Sequence, residues 1–158
     1  MTANTATPAQ DEAALIPRVK TEWHEWLELD LLELDECEIE CNGMTWAISY
    51  LLTQAGIEHE CFAGYVLSEY TGEAVTPHYW IKLRDGWYID FRLRMWLGDN
   101  DEVPHGVFHE ADAWWLGMRY EGNALQKEGV EFNRDFVMNL TDEKVSQMRL
   151  MPQPSKGG

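Results

Sequence analysis

The stretch from Pro77 to Arg92 constrains the fold more than any other, because it reads as a β-hairpin whose register follows from its side chains alone. Asp85-Gly86 interrupts two runs rich in aromatic and β-branched residues, as a tight connection does. A two-residue loop would set Ile81 opposite Asp90 and Lys82 opposite Ile89, mixing polar with apolar on both faces. A three-residue loop, Arg84-Asp85-Gly86, uses Gly86 as the left-handed residue of a type I turn plus bulge. Leu83 then pairs with Trp87, Ile81 with Ile89 and Tyr79 with Phe91, and that face is wholly apolar. The other face carries Lys82 with Tyr88, Trp80 with Asp90 and His78 with Arg92. Since a slip of one residue exchanges the faces, the second register is selected. It makes His78 and Asp90 diagonal neighbours on one face, roughly 7 to 8 Å apart at the backbone and within side-chain reach.

Upstream, Met44, Ala47, Ile48, Leu51, Leu52 and Ala55 recur at helical spacing and predict a helix over Asn42–Ala55, with Gly56 at its C-terminal stop. Extending the stripe back by three reaches Cys41. A thiol at a helix N-terminus feels the positive end of the dipole, which favours the thiolate. Glu38 and Glu40 oppose that effect, so a nearby imidazolium is needed to activate the sulfur. Cysteine, histidine and aspartate, in this chain order, are the parts of an activated thiol nucleophile.

The rest of the chain reads as support. Trp23, Trp26, Leu27, Leu31 and Leu34 predict an amphipathic helix over about Lys20–Leu34, with His24 on its acidic surface. Glu60–Leu67 reads as a strand with Cys61 in the core, and Ser68–Thr76 and Gly98–Gly106 as loops. Glu110–Tyr120 reads as a short helix burying Trp114, Trp115 or Met118. An extended piece around Val130–Met138 and a helix from Thr141 to Leu150, capped by Thr141, complete the expectations. Residues 1–12 lack periodicity and read as a disordered tail, 13–151 as one domain and 152–158 as a second tail.

A chain of 158 residues can bury one ordinary core. Its formal charge of −16 argues against direct binding to nucleic acid or an anionic membrane, since both need clustered Lys and Arg. No Lys or Arg occurs from Thr21 through Ile81, which suits a basic protein partner or a small cationic substrate, although a solvated acidic face is the plainer reading. Three cysteines without framework spacing, and an opening without a basic or apolar targeting region, predict free thiols in the cytoplasm. Cys37, His59, His105 and His109 lack the spacing of a metal site, so neither metal nor cofactor is expected. Arg92, with Arg94, Lys82 and Arg84, forms a basic cluster suited to an anionic substrate group or to pairing with the acidic first helix. Trp80 is the tryptophan expected to line the site, with Trp87 and Trp96 as wall and core.

Cys41, Gly56-Ile57, Gly64-Tyr65, His78-Tyr79-Trp80 and Trp87-Tyr88-Ile89-Asp90 together resemble the transglutaminase-like domain of the papain-like cysteine enzyme superfamily. The resemblance covers about a third of the chain. It departs after Asp90, where Phe91-Arg92 stands in place of the Pro-Thr pair common in that family. It implies an α+β fold in which the Cys41 helix packs on an antiparallel sheet, a Cys41 nucleophile, a His78 base and an orienting Asp90. The expected activity is that of a thiol hydrolase or acyl transferase acting on a peptide, protein or amide through a thioester, with Trp80 and Arg92 touching substrate. A catalytically silent acidic protein that binds a basic partner or mimics DNA is the alternative.

Overall fold

The computed structural model describes residues 19–125 and 134–154 and shows an α+β protein. In chain order the elements are α1 (Glu22–Asp35), α2 (Cys41–Gln54), β1 (His59–Ser68), β2 (Ala74–Leu83), β3 (Trp87–Asp90), α3 (Arg94–Leu97), β4 (Gly106–His109), α4 (Glu110–Trp115), β5 (Met118–Ala124), α5 (Arg134–Leu140) and a 3-10 turn, Lys144–Gln147. The strands form one antiparallel sheet in the order β4-β3-β2-β1-β5. The expected tail over residues 1–12 lies outside the described residues, as do residues 155–158 of the second tail.

The hairpin has the register that face-sorting selects: Ile81 pairs with Ile89 and Lys82 with Tyr88. Gly86, at φ 90°, donates its N–H to the Leu83 carbonyl and turns the chain where a side chain would be strained. The apolar set Ile81, Leu83, Trp87 and Ile89 meets the buried stripes of α1 and α2 in an aliphatic core. Helix α2 ends as its spacing predicts. The N–H groups of Gly56 and Ile57 bond the Thr53 and Leu52 carbonyls at 3.1 and 2.9 Å, closing the last turn. A second core on the opposite face packs the rings of Trp80, Tyr88 and Phe108 beside Val66, Leu93 and Met118.

Several expectations are corrected. Trp26 is 47% exposed, because the buried stripe Trp23-Leu27-Leu31-Leu34 centres near Leu27 and one residue earlier lies about 100° away on a helix. His24 is buried, since hairpin and helix close over it. The run Glu110–Tyr120 is split into α4 and the start of β5 by Gly117, which leaves Trp114 and Trp115 exposed and buries Met118. Arg134–Leu140 is helical where an extended piece was expected; residues 130–133 lie outside the described ones. Thr141 does not cap a following helix. Its hydroxyl bonds back to the Val137 carbonyl at 2.9 Å, and only the 3-10 turn follows. Strand β4 carries no sequence signal at four residues. Its Val107 N–H bonds Glu28 Oε1 of α1 at 2.7 Å, so the helix covers this sheet edge.

Candidate active site

Helix α2, strand β2 and strand β3 bring Cys41, His78 and Asp90 to one end of the sheet. Cys41 is the first residue of α2, with Glu40 as an extended N-cap that makes no side-chain capping bond. The paired part of the β2–β3 ladder stops at Ile81 and Ile89. His78 and Asp90 lie just beyond it, and Cys41 lines a narrow seam with Tyr79, Asp90 and Arg92.

All three side chains are shielded from solvent, with residue exposures of 8% for Cys41, 0% for His78 and 3% for Asp90. His78 Nε2 and Asp90 Oδ2 are 2.7 Å apart. The other Asp90 oxygen accepts the Arg92 backbone N–H at 3.0 Å, which holds the carboxylate in place. This bonding leaves His78 Nδ1, which is buried and makes no hydrogen bond of ordinary geometry. Burial alone would lower the pKa of the imidazole; the Asp90 charge and hydrogen bond, with a smaller contribution from the neighbouring Cys41 thiol, push it up to about 10. A buried imidazolium with an N–H to spare requires an acceptor, and the thiol beside it is that acceptor once ionised.

Cys41 also lines a cleft of about 480 Å³ shared with Glu40, Asn42, Glu73, Tyr79 and Trp96 and with the backbone leading through Thr76 and Pro77. Cys41 thus stands between this cleft and the buried histidine and aspartate.

Trp80 and Arg92 are found elsewhere than in the cleft wall. Trp80 is buried in the aromatic core, stacked with Phe62 at 5.8 Å and edge-on to Tyr120 at 5.0 Å. Trp96, 53% exposed, is the tryptophan in the cleft. The Arg92 guanidinium is directed inward to Asp35, at 2.6 Å, and to the carbonyls of Asp35, Ile39 and Cys37. It therefore pairs with the acidic end of α1, the second of the roles its sequence position allowed. By bracing residues 35–39 it anchors the segment that delivers Cys41. The acid run before Cys41, which begins at Asp35, is the sequence signal for this pairing.

The remaining candidates have separate partners: Ser49 for His59 at 2.6 Å, Asp35 for His105 at 3.1 Å, the α4 N-terminus for His109 and the core for Cys61, whose thiol is pushed up by burial. Among the described residues, no group of three or more His, Cys, Asp or Glu side chains is arranged to hold a metal ion. None of the described helices is long and apolar enough to cross a membrane.

Comparison with known proteins yields no match, whether to family models, to curated proteins or to solved structures.

Proposed function

We propose that the protein is a thiol enzyme of transglutaminase-like type that acts on an acyl or amide group, with Cys41 as nucleophile, His78 as proton shuttle and Asp90 as the group that orients the imidazole. The observation that carries this reading is the juxtaposition of the 2.7 Å His78–Asp90 bond, the uncommitted second nitrogen of His78 and the adjoining Cys41 sulfur at the head of a helix and the wall of a cleft. In the first half-reaction the Cys41 sulfur, its proton already held on the His78 imidazolium, bonds to the acyl carbon. Collapse of the tetrahedral adduct breaks the bond to the leaving amine, which takes the proton from His78 and leaves a thioester. Water or a second amine then bonds to the acyl carbon as its proton passes to His78, and collapse of this second adduct breaks the carbon–sulfur bond, releasing the acyl product and returning sulfur and imidazolium to their starting state. The α2 N-terminus, through the Cys41 backbone N–H, stabilises the oxyanion in both halves. A water acceptor fits the small size of the chain better than an elaborate second substrate, so hydrolysis is the leading form.

Iodoacetamide labelling followed by peptide mapping tests the reading without a known substrate. At pH 7 Cys41 is expected to react on the order of a hundredfold faster than Cys37, and His78→Ala is expected to abolish the difference. Equal rates, together with full biological effect of Cys41→Ala, would sink it. The acidic-partner reading rests on the charge of −16, and salt-sensitive displacement of duplex DNA from a DNA-binding protein is its signature.

A further inference from the structure

Asp90 has a third hydrogen-bond donor that the hairpin does not supply. Tyr120 of β5 donates its hydroxyl to Asp90 Oδ2 at 2.7 Å, the same oxygen that engages His78 Nε2. Strand β5 lies at the far edge of the sheet, so the side chain reaches across β1 and β2 to arrive there. Its path is built by packing. The ring is held edge-on between Trp80 at 5.0 Å and Tyr88 at 5.2 Å. Two residues on, Gly122 lies so close under Trp80 and the Ala63 carbonyl that a Cβ would fall 2.9 and 2.4 Å from them. Any larger residue would push β5 away from the indole that supports Tyr120.

We infer that Tyr120 is a positioning residue of the Cys41–His78–Asp90 site, holding Asp90 in the rotamer that keeps His78 Nε2 engaged and Nδ1 turned to the thiol; the inference rests on the proposed thiol-enzyme reading. An O–H donor on Oδ2 fixes the direction of that oxygen inside a dry site, where no water competes for it. With Tyr120 and His78 on Oδ2 and the Arg92 N–H on Oδ1, the carboxylate is gripped from three directions. Tyr120 itself stays protonated, since burial, then the Asp90 charge, raises its pKa well above the ordinary value. The other titratable groups described around Asp90, His78 and Tyr120 are Cys41 from α2, Tyr79 from β2, Arg92 after β3 and, behind Tyr120, Tyr88, whose hydroxyl bonds Glu110 at 3.2 Å.

The test follows the rate of Cys41 alkylation by iodoacetamide from pH 4 to 10 in the full chain. Tyr120→Phe keeps the ring and its packing. It is expected to slow alkylation at pH 7 on the order of tenfold and to move the acidic limb of the profile upward by about a unit, in the direction of Asp90→Asn but less far. Tyr88→Phe, which removes a neighbouring hydroxyl that does not touch Asp90, is expected to leave the profile in place. Site-specific Tyr120→3-fluorotyrosine retains the fold and strengthens the donor, and should move the limb downward, giving a second reading should the Phe variant prove unstable. If the wild-type Cys41 is fast and His78-dependent but both Tyr120 variants give the wild-type profile, the positioning role is wrong while the enzyme reading survives. If wild-type Cys41 reacts like Cys37, both fall together.

Discussion

Two buried histidines in this protein form carboxylate pairs of nearly equal length, His78 with Asp90 at 2.7 Å and His24 with Asp85 at 2.9 Å, yet they are suited to different tasks. In the second pair both ring nitrogens are claimed, because Thr21 Oγ1 lies 2.6 Å from Nδ1. The His24 ring also stacks on Trp87 at 4.0 Å, so it joins α1 to the hairpin as a packed, satisfied element of the fold. In the first pair the second nitrogen is left beside a thiol at the head of a helix. A histidine–aspartate pair is therefore not a site in itself. What distinguishes a site is the unclaimed nitrogen and the chemistry next to it.

The comparison breaks most visibly on substitution. His78→Ala should reduce Cys41 alkylation at pH 7 by on the order of a hundredfold, whereas His24→Ala should leave that rate within about twofold. Equal losses in the two variants would erase the distinction. Next in size is stability: His24→Ala removes a buried ring and strips Asp85 of a partner, at about 2–3 kcal/mol in urea denaturation. A cost below about 0.5 kcal/mol would show that the pair does not hold α1 to the hairpin.

Titration separates the pairs by sign. The pKa of His78 is raised from 6.5 to about 10, so its contribution is complete below pH 6.5 and is lost as pH rises through about 10. Asp85 is partly buried, which alone would raise its pKa, but hydrogen bonds from His24 and the Trp87 N–H outweigh this and hold it below the usual 3.8. Its contribution is present above pH 3.8 and is lost as pH falls through its folded value. Stability measured against pH should thus lose its His78-dependent part, the difference from His78→Ala, at the alkaline end and its Asp85-dependent part at the acid end. The reverse order would mean that the charges are assigned wrongly. The smallest effect belongs to Gln153, whose exposed amide bonds Asp85 at 3.1 Å; Gln153→Ala should change stability by no more than about 0.5 kcal/mol.

Much of this site is legible in the chain because it is local. Asp85-Gly86 and the alternation of Tyr79, Ile81, Leu83 against Trp87, Ile89, Phe91 decide a register that needs no distant contact, and that register brings His78 and Asp90 together. The other pair was invisible for the opposite reason. His24 has acidic neighbours in sequence and reads as a surface residue, while its partner lies 61 positions away in the hairpin turn. Trp80 and Trp96 exchange their expected places on similar grounds. Alternation puts Trp80 on the face of His78, but only the arrival of β5 and Phe62 reveals that this face is closed over at that point.

The sequence by itself determined the α2 stripe that begins at Cys41, the glycine stop at its end and the face shared by His78 and Asp90, because periods of 3.6 and 2 act over a few residues and are written into side-chain order. Only the tertiary structure decided that Arg92 turns inward to brace the segment before Cys41, that α1 covers the β4 edge and that Tyr120 reaches Asp90 from the far strand. Those contacts span 57, 79 and 30 positions. Which charge meets which buried partner at such separations is settled by how whole elements pack, and no local pattern carries that information.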